Sequence, residues 1–419
     1  MKDKEFGYAM KALRMVIRRE WHRMTSRRLY LGVCVVLPLL CLFFMATIFG
    51  NGQMENIPVG IVDLDNTATS RNISRRISAA PTFRVTEHFT DEADARRALQ
   101  QKDIYGYLVI PPRFEQKAVT GTGATLTYYY HYALLSVGSE LMAAFENTLA
   151  PVALSPIVMQ AEALGVSGEQ IQTFLLPVEA STHPLYNPDM DYSIYLSQPF
   201  FFVLFQILIL LTTVYSIGSE LKFGSAGEWL EMARGNILTA VAGKLLPYTL
   251  IFSSIGILAN YVLFGPLHIP FAGSLWLMNA VTVLFIIATQ ALAVFIYSVF
   301  PKIAYIISVV SMVGSLGATL SGVTFPVTAM YAPVHAASYL FPVRHFTEAA
   351  QAMIYFDAGF AYFWQSVATL FIFLLAALLI LPLLKWWIKK EIREEAISAS
   401  IIGKTKCERY KKRNAIIRV

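Results

Sequence analysis

Two carboxylates two positions apart, Asp63 and Asp65, follow the apolar run Ile57 to Val62 and precede Asn66 and Thr67. In an Asp-x-Asp-x-Thr arrangement at a strand end, one carboxylate can attack phosphorus while the other moves protons beside Mg²⁺. A strand end does present side chains at a crevice. That phosphohydrolase chemistry needs a later pair of aspartates, and none follows in a comparable setting. The preferred reading has Asp63, Asp65 and Asn66 close a strand-to-helix turn with Thr67. His335 and His345 have no third ligand near them, so hydrogen bonding at an interface is preferred over a metal site. Gly403-Lys404-Thr405 copies the end of a phosphate-binding loop, but the Gly-x-x-x-x-Gly-Lys-Ser/Thr pattern needs glycine where Ser398 stands, and no helix is expected after it. A solvated basic tail is expected there. Cys34, Cys41 and Cys407 imply no disulfide framework.

Ser225-Ala226-Gly227-Glu228 has the form of a capping box, in which Ser225 and Glu228 satisfy free backbone donors at a helix start. A short helix from about Ala226 to Arg234, ended by Gly235-Asn236, is expected to present Trp229, Leu230 and Met232 among Glu228, Glu231 and Arg234. Such a mixed surface suits a groove on another protein; the alternative is an amphipathic helix lying on a bilayer. Ser308, Ser311, Ser315, Ala318 and Gly322 recur at spacings of three and four, a stripe that lets helix backbones approach. Packing and the lining of a substrate path both remain open for it.

The elements that must carry these residues are mostly built for lipid. Of 419 residues, 56% are hydrophobic and 15% charged, against about 25% charged in soluble domains. Six apolar runs are long enough to cross about 30 Å of hydrocarbon: Leu29 to Phe49, Leu196 to Ile217, Ala242 to Phe264, Leu275 to Phe300, Ala304 to Phe325 and Ser366 to Leu384. The first is expected to stay attached, since Met45-Ala46-Thr47-Ile48 offers no signal-peptide cleavage site. The net charge of +6 sits at the two ends, with nine basic residues up to Arg28 and eleven after Leu384. Together with three in the loop Gly218 to Lys244 and Lys302 alone, they place both termini in the cytoplasm by the positive-inside rule. No groove-reading element accompanies this charge, so nucleic acid is excluded as a partner.

Before the first span, Phe6, Met10, Leu13, Ile17, Trp21 and Met24 fall at helical spacing while Lys11, Arg14, Arg18, Arg19 and Arg23 take the other faces. Residues 1–28 therefore read as an amphipathic interfacial helix, 29–49 as the first span, and 50–195 as an extracytoplasmic domain. Residues 196–388 hold five further spans with a cytoplasmic loop at 218–243 and an outer re-entrant element at 326–360; 389–419 form the tail. The fold class is an all-α membrane domain of six helices with an inserted α/β domain. That domain shows strand candidates Ile57 to Val62, Thr82 to Phe89 and Tyr105 to Ile110, alternating with helices Ser70 to Ala79 and Asp91 to Gln101. Ala133 to Leu149, Pro156 to Leu164 and Ser167 to Leu175 also read as helical. From Ala118 to Leu221 there is no Lys or Arg, while seven carboxylates stand between Glu140 and Asp191. A solvated acidic face is preferred there over an attractor for cations.

Three patches make the chain resemble the ABC type-2 exporter permeases, in particular the bacterial subgroup with a large domain between spans one and two. They are Ile57 to Thr67 with Ser70-Arg71 and the later Tyr107 to Phe114; Tyr186-Asn187-Pro188-Asp189; and Glu220 to Gly243 with Lys244. One departure is Phe200 after Pro199, where the family often has Pro-Gly. The resemblance implies a permease of a bacterial inner membrane, working with a second copy or paralogue and with a separate ATP-binding cassette subunit that carries the ATP and Mg²⁺. It makes the helix opened by Ser225 the coupling helix. A small hydrophobic or amphipathic cargo, handed on to a periplasmic adaptor, is the expected substrate class. A membrane-anchored receptor acting through its outer domain is the competing class.

Overall fold

The computed structural model describes residues 2–48, 52, 54–120, 122–163, 185–187, 191–356 and 359–416. Two compact units divide the chain, one of residues 1–50 with 191–419 and one of residues 51–190. The first unit opens with helix α1 (Lys2–Ser26) and α2 (Arg28–Ile48). A π-helical turn, Gly32–Val36, interrupts α2 just before Pro38, whose missing N–H breaks the regular ladder.

The second unit is a four-stranded sheet in the order β2-β1-β3-β4, with β1 (Ile57–Asp63) parallel to β2 (Phe83–Phe89) and β3 (Gly106–Ile110) and with β4 (Thr127–Tyr130) antiparallel to β3. Its helices are α3 (Ala68–Ala79), α4 (Glu92–Gln101), α5 (Phe114–Thr120) and α6 (Leu135–Ala163). Alternation along β1 sends Ile57, Val59 and Ile61 to a core with Ile73 and Ile77 of α3 and Leu141 and Phe145 of α6. Val62 faces the other way, onto Ala95 and Ala98 of α4. The three strands and first two helices lie where the pattern placed them. Two expected helices, Ala133 to Leu149 and Pro156 to Leu164, are replaced by the single α6, while β4 and α5 were not anticipated. Ser167 to Leu175 lies outside the described residues.

The first unit resumes with α7 (Ser193–Lys222), α8 (Ala226–Met232), α9 (Ile237–Phe264), α10 (Leu275–Val299), α11 (Ile303–Leu320), α12 (Ala332–Ser338), α13 (Pro342–Tyr355) and α14 (Phe360–Ile416). Another π-helical turn, Ser193–Ser197, again precedes a proline, Pro199. Six of these helices, α2, α7, α9, α10, α11 and the first part of α14, are long and apolar enough to cross a membrane. α7 is the central one, buried over most of its length, whereas α2 and α11 leave most of their surface uncovered. Phe202 of α7 and Phe285 of α10 clasp Phe346 at ring distances of 4.4 and 4.6 Å, seating α13 in the core. The helical extent of α14 corrects one expectation: Gly403-Lys404-Thr405 lies within a helix and forms no loop.

Candidate functional site

Glu220, in the last turn of α7, is fully buried and draws cations from two elements, α1 and α9, and a hydroxyl from the start of α8. Its Oε1 accepts hydrogen bonds from Arg19 Nη1 at 2.8 Å and Lys244 Nζ at 2.6 Å, and its Oε2 accepts one from Arg19 Nη2 at 3.0 Å. Arg23 and the Ser225 hydroxyl donate to the same carboxylate. Lys244 of α9, also fully buried, donates in addition to Glu20 Oε2 at 2.6 Å, and Tyr248 gives its hydroxyl proton to Glu20 Oε1 at 2.7 Å. An unpaired buried ion costs several kcal/mol, so such a cluster persists only if every member is matched. Three cations face two buried carboxylates, and Glu228, 3.9 Å from Arg19, brings the third negative charge.

The cluster exists because α1 lies unusually close to α9. Gly243 makes this possible: a Cβ there would stand 2.9 Å from the Cβ of Val16. Ala12, Val16, Glu20 and Met24 consequently form the buried face of α1. The stripe read from the sequence is not this face, for Met10 and Trp21 remain about half exposed. Met24 is common to both, and Leu13 and Ile17 lie at the edge of the buried face.

The helix opened by Ser225 is present, but its face is reversed from the expectation. Trp229 is fully buried, donates from Nε1 to the Ala240 carbonyl at 3.2 Å, and lies 5.2 Å beneath Lys244 Nζ. Ala226 and Leu230 are buried with it, leaving Glu228 and Glu231 on the outside. Trp229 thus ties α8 to its own chain and is unavailable as an anchor for a partner. The capping box also fails to form: the Ser225 oxygen accepts from no backbone N–H of α8, and its hydroxyl is turned to donate to the Glu220 carboxylate. Gly235, at φ +73°, follows the end of α8 as read, while Asn236, which accepts from the Leu238 and Thr239 N–H groups, starts α9 earlier than the apolar run from Ala242 suggested.

Elsewhere the sequence-selected residues fall differently. On α11 the face packed into the chain is Ile306, Val310, Gly314 and Gly317, while Ser308 and Ser315 are exposed and Ser311 and Ala318 half-buried. Gly322 follows the helix at φ +87°. The Ser311 and Ser315 hydroxyls return to carbonyls of their own helix. Asp63 accepts from the N–H groups of Asp65 and Asn66 and from Ser70 Oγ. Asp65 accepts from Thr67 and from the N–H groups of Phe114 and Glu115. Burial works to raise the Asp65 pKa, but these hydrogen bonds outweigh it and hold the carboxyl below the ordinary range. Both carboxylates are engaged in building the turn that joins β1, α3 and α5. His345 is buried against the Tyr339 carbonyl, with His335 on the other side of the same tyrosine. Among the described residues no three His, Cys, Asp or Glu come together as a metal site.

Arg19, Glu20 and Arg23 were missed as a site, although one signal was available: Lys244 is an ionisable residue inside a long apolar helix, which calls for a partner. A family described as ABC-2 family transporter protein matches residues 28–382. No curated protein matches the chain.

Proposed function

Because the chain belongs to the ABC-2 family of transporter proteins, whose members are membrane components paired with ATP-binding cassette subunits, we propose that it is the permease of an exporter. In this reading both termini, α1 and α8 lie in the cytoplasm of a bacterial cell, the α/β unit stands outside the inner membrane, and two copies or paralogues form the path. The cargo is a small hydrophobic or amphipathic compound. Nucleotide and Mg²⁺ belong to the partner subunit, and a periplasmic adaptor is an optional further partner.

The single observation that supports coupling is the Glu220 cluster. It fastens α8, through Ser225, and α1, through Arg19 and Arg23, to the ends of α7 and α9. A hydrogen bond to a charged group contributes about 1.5–3 kcal/mol, so several of them make the four elements move as one. A displacement of the exposed Glu228–Glu231 face by an ATP-binding subunit would then be delivered to two spans together. The test is ATP-dependent accumulation of a lipophilic dye in inside-out vesicles that carry the chain and its ATP-binding subunit. In a cysteine-free background, Thr122→Cys should be labelled by an impermeant maleimide on intact cells and Glu231→Cys should not. Labelling of Glu231→Cys from outside, or no ATP-dependent accumulation, would refute the reading.

A further inference from the structure

Between the segment 321–328 that follows α11, Tyr195 of α7, and α13 lies a cavity of about 390 Å³ whose mixed lining includes Thr324, Thr328, Arg344, Glu348 and Gln351. Arg344 is only 4% exposed, yet its Nε and Nη1 have no hydrogen-bond partner among the described residues, and it forms no ion pair among them. Its guanidinium lies flat on the Tyr339 ring, 3.7 Å from the centroid. That contact covers one face of the cation and leaves its in-plane donors unused. A buried arginine in this condition is costly unless an acceptor arrives. Glu348 does not serve: it lies in the same cavity but forms no ion pair with Arg344, and its Oε2 accepts the Ser366 hydroxyl at 2.9 Å. Tyr339 also lines a second cavity of about 390 Å³, almost wholly apolar, with Leu340, Phe341, Phe295 and Phe373.

The geometry points to an oxyanion site at Arg344 that takes the carboxylate or phosphate group of an amphipathic molecule, whose apolar part suits the cavity that Tyr339 lines. Calling this molecule the cargo rests on the export reading; the site itself rests on the unpaired guanidinium and its cavity. Glu348 repels the same group, so Glu348→Gln should tighten binding.

The full chain in an uncharged maltoside detergent is titrated with dodecyl phosphate and, separately, with dodecanol, following the unfolding midpoint. Dodecyl phosphate should act at about tenfold lower concentration, the gain expected from one charge-assisted contact. Arg344→Gln should erase the difference. Thr328→Glu, an exposed position in the same cavity, should erase it too by supplying a competing carboxylate, and it decides the matter if Arg344→Gln does not fold. Equal action of the two amphiphiles on the unaltered chain, or a difference that persists in these variants, overturns the site. Competition by phosphatidylglycerol would assign the oxyanion to a lipid headgroup, and its failure to compete would assign it to a free amphiphile. Binding through Arg344 without any ATP-dependent export would sink the export reading and leave this site standing.

Discussion

Glu220 and Lys244 lie 24 residues apart in sequence, on α7 and α9, and their charged atoms meet at 2.6 Å with neither side chain exposed. Lys244 is shared, because Glu20 on α1 holds it at the same distance. Removing the lysine alone therefore leaves the buried Glu20 with the neutral Tyr248 hydroxyl and no cation, and weakens the balance at Glu220. Lys244→Met should lower the unfolding free energy of the detergent-solubilised chain by about 3–5 kcal/mol. The double variant Glu20→Gln with Lys244→Met removes one charge of each sign and should recover a clear part of that loss. Equal loss in the single and double variants would show that the cluster is not electrostatically coupled.

The burial of Trp229 changes which residues of α8 bear on a partner. Truncating it opens a cavity inside the chain, so Trp229→Ala should destabilise the permease itself by about 3–5 kcal/mol. Glu231→Lys alters an exposed position that contributes no charge to the cluster, where stability changes stay within about 0.5 kcal/mol. That change should nevertheless weaken retention of the ATP-binding subunit during co-purification. Undiminished retention would remove α8 from the proposed coupling surface.

Asp65 supplies a pH signature in the α/β unit. Its carboxyl is held below the ordinary range in the folded chain, so the folded state binds this proton less readily than the unfolded one. The associated stability is complete above the unfolded value of about 3.9 and is lost as pH falls through the lower folded value. Hydrogen exchange over residues 110–120 should show protection that declines only in this acid window. In Asp65→Ala the Phe114 and Glu115 N–H groups lose their acceptor, and protection there should be low already at neutral pH. A variant as protected as the parent at neutral pH would sink this account.

The parts legible from sequence are those set by local rules. Asp63 and Asp65 could be assigned to a turn because most of their acceptor bonds fall within a few residues, and the apolar runs located all six long helices. Their limits were less legible: α9 begins at Ile237, ahead of the run from Ala242, because Asn236 caps it from outside the apolar stretch. The charge cluster was hidden by distance, since Arg19 and Glu220 are 201 residues apart. Periodicity correctly made α1 amphipathic, yet the face it packs with is selected by the room that Gly243 leaves for Val16, which hydrophobicity does not report. For the same reason the direction of Trp229 was unreadable: a helix of seven residues has its inward face chosen by its neighbours.

Gly243 offers the sharpest separation between closeness and composition. A methyl group there would meet the Cβ of Val16 at 2.9 Å, an atom fixed by the α1 backbone, so the two helices must part. Parting them lengthens the bonds from Glu20 to Lys244 and Tyr248 and from Arg19 and Arg23 to Glu220, which all run between α1 and the spans. Gly227 is the control, since a methyl group on α8 would come no nearer than 3.8 Å to Ile392, an ordinary contact. Replacing glycine by alanine inside a helix is itself favourable by about 1 kcal/mol. Gly227→Ala should accordingly be neutral or stabilising, with export and ATPase coupling retained. Gly243→Ala should lower the unfolding midpoint and uncouple ATP hydrolysis from export despite the same gain in helix propensity. A companion Val16→Gly change, which removes the opposing Cβ, should partly restore both readouts, and a Gly243→Ala chain that unfolds and exports like the parent would show that close approach of α1 is not what holds the cluster together.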